Sequence, residues 1–180
     1  MKPMMIKKTA FATMVFLLVT VNVRAQDSCQ RHVEPAGGFS ICTPEGWRVK
    51  EQEGQKFKFI FGPPGQHFTA NLNFKETNVS ASISEFASFS VNYLLEHYKE
   101  TGAESVKLIK QEPFPTASGV PGVKASFKAE FKGLLIRSVQ YYLSGTGDQK
   151  LILTATALEV DHAIIDPIFD RAAKSFRLEK

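Results

Sequence analysis

The fold is decided by residues 122–158, which read GVKASFKAEFKGLLIRSVQYYLSGTGDQKLILTATAL. Apolar and polar side chains alternate from Val123 to Phe131, as expected for a strand with one buried face. Lys132-Gly133 and Gly145-Thr146-Gly147-Asp148 then interrupt the apolar pattern with turn residues. Three consecutive strands joined by tight turns predict an antiparallel meander.

Five more strands are predicted outside this meander, and a run of glycine and proline separates two of them. Gly62-Pro63-Pro64-Gly65 ends one strand because neither a strand nor a helix continues through it. The five predicted strands are Phe39–Cys42, Trp47–Lys50, Phe57–Phe61, Phe68–Lys75 and Val106–Ile109.

Two amphipathic helices complete the pattern. Ser82 and Glu85 form a capping box that opens a helix of about 18 residues ending near Gly102. Asp161 caps a second helix, whose early turns contain Pro167. The apolar stripe of this second helix is Ile164, Ile165, Ile168, Phe169, Ala172, Ala173 and Phe176. The order of four strands, helix, four strands, helix predicts an α+β fold, not a regular alternation of strands and helices.

Residues 1–25 have the composition of a secretory signal peptide. Lys7 and Lys8 precede an apolar stretch over residues 10–23, and the predicted cleavage lies between Ala25 and Gln26. A helix of this stretch spans about 21 Å, short of a hydrocarbon core of about 30 Å. An uncleaved anchor is the alternative. A lipoprotein modified at Cys29 is less favoured because Gln26-Asp27-Ser28 lacks the apolar and small residues of a lipobox. The prediction is a periplasmic or secreted protein of one domain, residues 26–180, without a stable membrane anchor after cleavage.

The net positive charge of the sequence lies in this predicted signal peptide, residues 1–25. The sequence contains 22 Lys and Arg against 18 Asp and Glu, a formal charge of +4. Lys2, Lys7, Lys8 and Arg24 all precede the predicted cleavage site, so the mature chain carries equal numbers of basic and acidic residues. This balance argues against a nucleic-acid partner, and 43% hydrophobic residues exclude a disordered chain.

Cys29 and Cys42 are the only cysteines of the sequence. An even number of cysteines in an exported protein predicts a disulfide, here stapling an irregular N-terminal segment to the first strand. A catalytic pair is the weaker interpretation because the spacing is far from Cys-x-x-Cys.

Motifs for catalysis, cofactors and metals are missing from the sequence. The four histidines are scattered, and neither a phosphate-binding loop nor a nucleophile elbow occurs. We therefore predict no enzyme, no cofactor and no metal site. Asp166 and Asp170, one helical turn apart, are either a weak cation site or, as we favour, a solvated helix face.

Two surface patterns leave alternatives open. Lys124, Lys128 and Lys132 lie on one face of one strand and would meet an acidic partner or lipid headgroups, but simple solvent exposure is favoured. Phe89 and Tyr93 lie off the main stripe of the first helix. They mark either a second buried face or an exposed contact patch.

Two segments resemble a known family. Gly38-Phe39-Ser40-Ile41 followed by Pro44-Glu45-Gly46-Trp47 resembles the opening of PsbP-like and DcrB-like domains, and Ala172-Ala173-Lys174-Ser175-Phe176-Arg177 is similar to their closing helix and strand. The resemblance spans residues 37–178. It implies an α/β/α sandwich with two main helices and a central, mainly antiparallel sheet of about six to eight strands.

The resemblance also implies a function. Its members include an extrinsic subunit of photosystem II, a Ran-binding import factor, bacterial envelope proteins and chaperones of secreted effectors, which bind other proteins without catalysis. The leading hypothesis is an exported, non-enzymatic accessory or protein-binding module of the envelope or of a lumenal compartment, with a partner not yet identified. The alternative is a small-molecule or lipid carrier, with its pocket between the Ile83–Gly102 helix and the sheet.

Overall fold

The computed structural model describes residues 29–179. The predicted Ala25–Gln26 cleavage site and the whole leader lie outside these residues. The described chain forms ten strands and two α-helices. In chain order these are β1 (Gln30–Glu34), β2 (Phe39–Thr43), β3 (Arg48–Lys50), β4 (Phe59–Phe61), β5 (Asn71–Asn78), α1 (Ile83–His97), β6 (Ser105–Pro113), β7 (Gly122–Phe131), β8 (Leu134–Ser144), β9 (Gln149–Leu158), α2 (His162–Lys174) and β10 (Arg177–Leu178).

Seven strands form a central antiparallel sheet in the order β3-β4-β5-β9-β8-β7-β6. The predicted meander β7-β8-β9 is confirmed and forms its middle. Lys132 and Gly133 make the first of its turns, both with positive φ, which suits glycine at the second position. The Gly145–Gln149 backbone hydrogen bond closes the second turn at 2.9 Å, so the Gly145-Thr146-Gly147 run is a hairpin turn.

Helix α1 covers one face of this sheet, over β6, β7 and β8. Its N-terminus has the predicted capping box: the Glu85 N–H donates to Ser82 Oγ at 3.2 Å, and the Ser82 N–H donates to Glu85 Oε2 at 2.9 Å. Phe86 and Val91 face the sheet, and Phe86 packs edge-on against Tyr142. The α-helix is shorter than predicted, because its last turn tightens into a 3-10 helix that ends at Gly102.

Helix α2 and a second, three-stranded sheet cover the other face. This small sheet has the order β1-β2-β10 and is antiparallel throughout. Phe39 of β2 lies at the centre of this layer, with its ring centroid 4.4 Å from that of Phe74 and 5.5 Å from that of Phe176. The predicted α+β sandwich of two helices and an antiparallel central sheet is therefore confirmed.

Several details differ from the sequence prediction. The N-terminal segment, expected to be irregular, pairs with β2 as strand β1, and β2 itself belongs to the small sheet. Strand β5 begins three residues later than predicted, at Asn71. Asp161 precedes α2 without a side-chain cap, because a 3-10 turn over Glu159–Asp161 leads into the helix. Ile164, expected in the buried stripe of α2, is 74% exposed.

No helix within residues 29–179 combines the length and the apolar character needed to cross a bilayer.

Candidate functional site

Three aromatic side chains form a stacked row along the outer face of α1. Phe89 and Tyr93 stack with ring centroids 6.3 Å apart, and Tyr93 stacks on His97 at 4.2 Å. We call Phe89, Tyr93 and His97 the aromatic ladder. Phe89 is 70% exposed and Tyr93 is 49% exposed. The two rings are therefore exposed, and the interpretation as a second buried face is wrong.

The helix fixes the geometry of the ladder. Residues four apart lie above one another on a helix, so the three rings share one face. His97 Nδ1 lies 3.0 Å from the carbonyl oxygen of Tyr93, which holds the last ring in place. Ala87 and Val91 on the opposite face are buried against the sheet. The ladder is thus an ordered apolar surface on a helix that is anchored from behind.

A polar groove lies at the other end of the molecule, between the small sheet and the β3–β4 edge of the central sheet. Its volume is about 400 Å³. Strands β1 and β2 line it on one side, and β3 with the segment before β4 lines it on the other. The lining residues are Gln30, Arg31, His32, Thr43, Val49, Glu51 and Lys58. A second groove of about 420 Å³ adjoins it, because Glu51 and Lys58 line both. Sequence reasoning missed this site, because its polar residues follow no recognisable spacing.

Two buried polar atoms in the groove lack a hydrogen-bond partner in the described chain. They are Thr43 Oγ1 and His32 Nε2. Thr43 is 6% exposed, and His32 Nε2 lies 3.5 Å from Glu34 Oε2. Buried polar groups in proteins are nearly always hydrogen-bonded, so these atoms call for water or a ligand.

An ionic cluster lies between α2 and the central sheet. Lys124 Nζ approaches Asp170 Oδ1 at 2.7 Å, and the Tyr141 hydroxyl donates to the same oxygen at 2.6 Å. Beside them, Arg137 Nε donates to both oxygens of Asp166 at 3.1 Å. The favoured predictions for Asp166 and Asp170 as a solvated face, and for Lys124 as a solvent-exposed lysine, are therefore wrong. α2 turns both carboxylates toward the sheet, where buried cations neutralise them.

This cluster shifts two proton equilibria. Burial is the main cause that raises the pKa of Tyr141, and the hydrogen bond to Asp170 raises it further. Burial alone would lower the pKa of the Arg137 guanidinium, but the hydrogen bond and the charge of Asp166 outweigh it and raise that pKa. Both groups therefore stay protonated at physiological pH and act as fixed donors that hold α2 on the sheet.

Cys29 and Cys42 form the predicted disulfide, with their Cα atoms 5.3 Å apart. The bond ties the residue before β1 to β2, and so closes one end of the small sheet.

Among residues 29–179, no group of three or more His, Cys, Asp or Glu side chains could hold a metal ion. Lys128 is half-buried and Lys132 is exposed, so the three-lysine stripe is not one uniform surface.

Comparison with known proteins supports the fold. No protein-family model and no curated protein sequence matches this chain. The solved structure of CyanoP, the cyanobacterial PsbP of Synechocystis sp. PCC 6803, is similar with a TM-score of 0.63 and 13% identity, over 89% of this chain and 98% of its own. LpqN of Mycobacterium tuberculosis is similar with a TM-score of 0.62 and 12% identity, over 87% of this chain and 88% of its own.

A eukaryotic structure is also similar. The Ran-binding protein Mog1p of Saccharomyces cerevisiae has a TM-score of 0.57 and 10% identity, over 83% of this chain and 95% of its own. At these identities the likeness establishes the architecture. The chain has the PsbP-like fold, as the two quoted sequence segments implied.

Proposed function

We propose that this chain is an exported, non-enzymatic accessory protein that binds another protein in the bacterial envelope or in a lumenal compartment. The observation that carries the proposal is the aromatic ladder on α1. The binding surface is the outer face of that helix, and the partner supplies an apolar cleft that accepts Phe89 and Tyr93.

The chemistry of the ladder suits a protein partner. A phenylalanine that is 70% exposed leaves most of its apolar surface in water, and burying that surface in a complex is favourable. Aromatic side chains are enriched at the centres of protein interfaces, where they supply most of the binding energy. Stacking within the ladder restricts the rings before binding, so less side-chain entropy is lost. Ser88, Asn92 and Glu96 provide the exposed polar rim.

The structural neighbours support a binding role. LpqN is described as involved in cell envelope biogenesis, and Mog1p as a Ran-binding protein. From Mog1p we extend to this chain only the binding of another protein, and from LpqN only the location in the envelope. The ionic cluster under α2 fits the same view, because its carboxylates are already neutralised by Lys124 and Arg137 and hold the helix in place.

The export part of the proposal rests on residues 1–25. It predicts that protein recovered from the periplasm or the medium begins at Gln26, which the mass of the intact protein measures. Recovery of protein that still carries residues 1–25 in the membrane fraction would show an uncleaved anchor instead.

The structure gives less support to a carrier with its pocket under α1. Phe86, Ala87 and Val91 are buried there against Phe127 and Tyr142, so side chains occupy the space that a ligand would need. Both grooves lie away from this interface.

Site-specific photo-crosslinking tests the docking surface. A photoreactive phenylalanine analogue replaces Phe89 in one variant and Ile164 in a matched control, because Ile164 is equally exposed but lies on α2. We expect one discrete crosslinked species from position 89 in native cells and none of the same mass from position 164. The same species from both positions, or none from position 89, would contradict the proposal.

A further inference from the structure

We propose that the polar groove between the small sheet and the β3–β4 edge binds a small organic carboxylate. This site is separate from the aromatic ladder and goes beyond the protein-binding function. Its volume of about 400 Å³ falls within the range of small-molecule sites in proteins, about 300–1,000 Å³.

The first argument is the unsatisfied hydroxyl of Thr43. The register pairs Gln30 with Thr43 and His32 with Ile41, so Gln30, His32 and Thr43 lie on the inward face of the small sheet. Thr43 lines the groove at 6% exposure, yet its Oγ1 has no partner in the described chain. Leaving a buried hydroxyl unpaired costs about 1–3 kcal/mol, so an acceptor in the groove is favoured.

The second argument is the distribution of donors. Thr43, Gln30 and Lys58 line the same space, and their hydroxyl, amide and ammonium groups are all hydrogen-bond donors. A carboxylate accepts several such bonds at once. Val49 supplies an apolar wall for a short carbon chain.

The third argument concerns the charges around the groove. Lys58 and Arg31 are the basic residues of the lining, and Glu51 is the acidic one. Glu51 is 82% exposed on its side chain and lies 3.4 Å from Lys58, so water screens much of its charge. The carboxylate of Glu34 accepts from the Lys58 backbone N–H at 3.4 Å and lies 3.5 Å from His32 Nε2, so these donors offset its charge. A carboxylate ligand therefore meets Lys58 as its counter-charge.

Nuclear magnetic resonance titration of the protein, with the Cys29–Cys42 disulfide intact, tests this site. The probe is butyrate, and butyramide is its neutral match in shape. We expect saturable shifts at Thr43 and His32 with a dissociation constant on the order of 1 mM, which suits a ligand of about six non-hydrogen atoms. Butyramide should bind about tenfold more weakly, because it offers no charge to Lys58.

Substitutions in the groove test which side chains favour butyrate binding and which oppose it. Thr43→Val and Lys58→Gln should each weaken butyrate binding about tenfold, since each removes one hydrogen bond to a charged group. Glu51→Gln should tighten it. Thr156→Val and Lys99→Gln, which lie outside the lining, are the matched controls and should change nothing. If Thr43→Val fails to fold, the exposed Lys58 and Glu51 variants still decide the question.

Three results would overturn the proposal. They are the absence of saturable shifts with butyrate, equal binding of butyramide, and equal binding of inorganic phosphate at the same ionic strength. The last result would make the groove a general anion site and not a carboxylate site.

Discussion

Neutralising Asp166 is a sharp test of how α2 is held on the central sheet. Arg137 donates to both of its carboxylate oxygens, and the two side chains are only 11% and 20% exposed. Asp166→Asn keeps the size of the side chain but removes the charge. The guanidinium of Arg137 then stays buried without its counter-charge, and its nearest acceptors are reduced to one amide oxygen.

The expected loss follows from this burial. Removing one partner of a fully buried ion pair costs about 3–5 kcal/mol, whereas an exposed pair contributes about 0–1 kcal/mol. Asp166 admits some water, so we expect the free energy of unfolding to fall by about 2–4 kcal/mol. Urea denaturation followed by circular dichroism measures the change at neutral pH.

Two further variants make the result interpretable. Glu112→Gln removes the partner of Lys110, a pair whose side chains are 37% and 64% exposed, and should cost less than about 1 kcal/mol. Arg137→Met combined with Asp166→Leu replaces both buried charges by apolar groups and should recover most of the lost stability. If Asp166→Asn costs no more than Glu112→Gln, the cluster does not hold α2 and the reasoning is wrong.

Two other predictions concern the N-terminal half. Replacing Cys29 and Cys42 by serine should lower the free energy of unfolding by about 3 kcal/mol, the chain-entropy value for a loop of about 14 residues, and urea denaturation of the variant against wild type measures it. Ser82→Ala should cost about 1 kcal/mol, because it removes the N-cap of α1. Hydrogen bonds from Ser82 lower the pKa of Glu85 below its ordinary 4.5. The cap therefore stabilises the folded protein fully above pH 4.5, and this stabilisation is lost as the pH falls below that value. The difference in the free energy of unfolding between wild type and Ser82→Ala should therefore shrink in acid. A difference that stays constant with pH would contradict this prediction.

The local patterns of the sequence predicted the elements well. Alternation over Val123–Phe131 and its two turns predicted the meander, and the Ser82–Glu85 pair predicted the start of α1. Both are signals between residues close in sequence, which local physical chemistry controls. Strand β1 gave no such signal, because Gln30–Glu34 has no alternation and its pairing depends on β2 and the disulfide.

The ionic cluster was unpredictable for a related reason. Helical spacing showed that Asp166 and Asp170 share a face, and charged residues on a helix usually face water. Their partners Arg137 and Lys124 lie 29 and 46 residues away in sequence. The buried arc of α2 is rotated toward these carboxylates, which leaves Ile164 in solvent. Only the tertiary structure brings the opposite charges together.

The two candidate sites differ in what the sequence revealed. The sequence distinguishes Phe89 and Tyr93 because both aromatic residues lie off the apolar stripe, and the structure shows that both are exposed. The polar groove had no sequence signal, since Gln30, Thr43 and Lys58 come from separate segments that meet only when the small sheet packs against the β3–β4 edge.

The affinity for the partner captured at position 89 tests the central claim most directly. Isothermal titration calorimetry would compare wild type, Phe89→Ser and Ile164→Ser, two substitutions that remove an equally exposed apolar side chain from different helices. Our account predicts that Phe89→Ser weakens binding by about 30-fold, the effect of losing about 2 kcal/mol at an interface hot spot, and that Ile164→Ser changes nothing. Equal affinities of wild type and Phe89→Ser would contradict the claim that α1 is the docking surface.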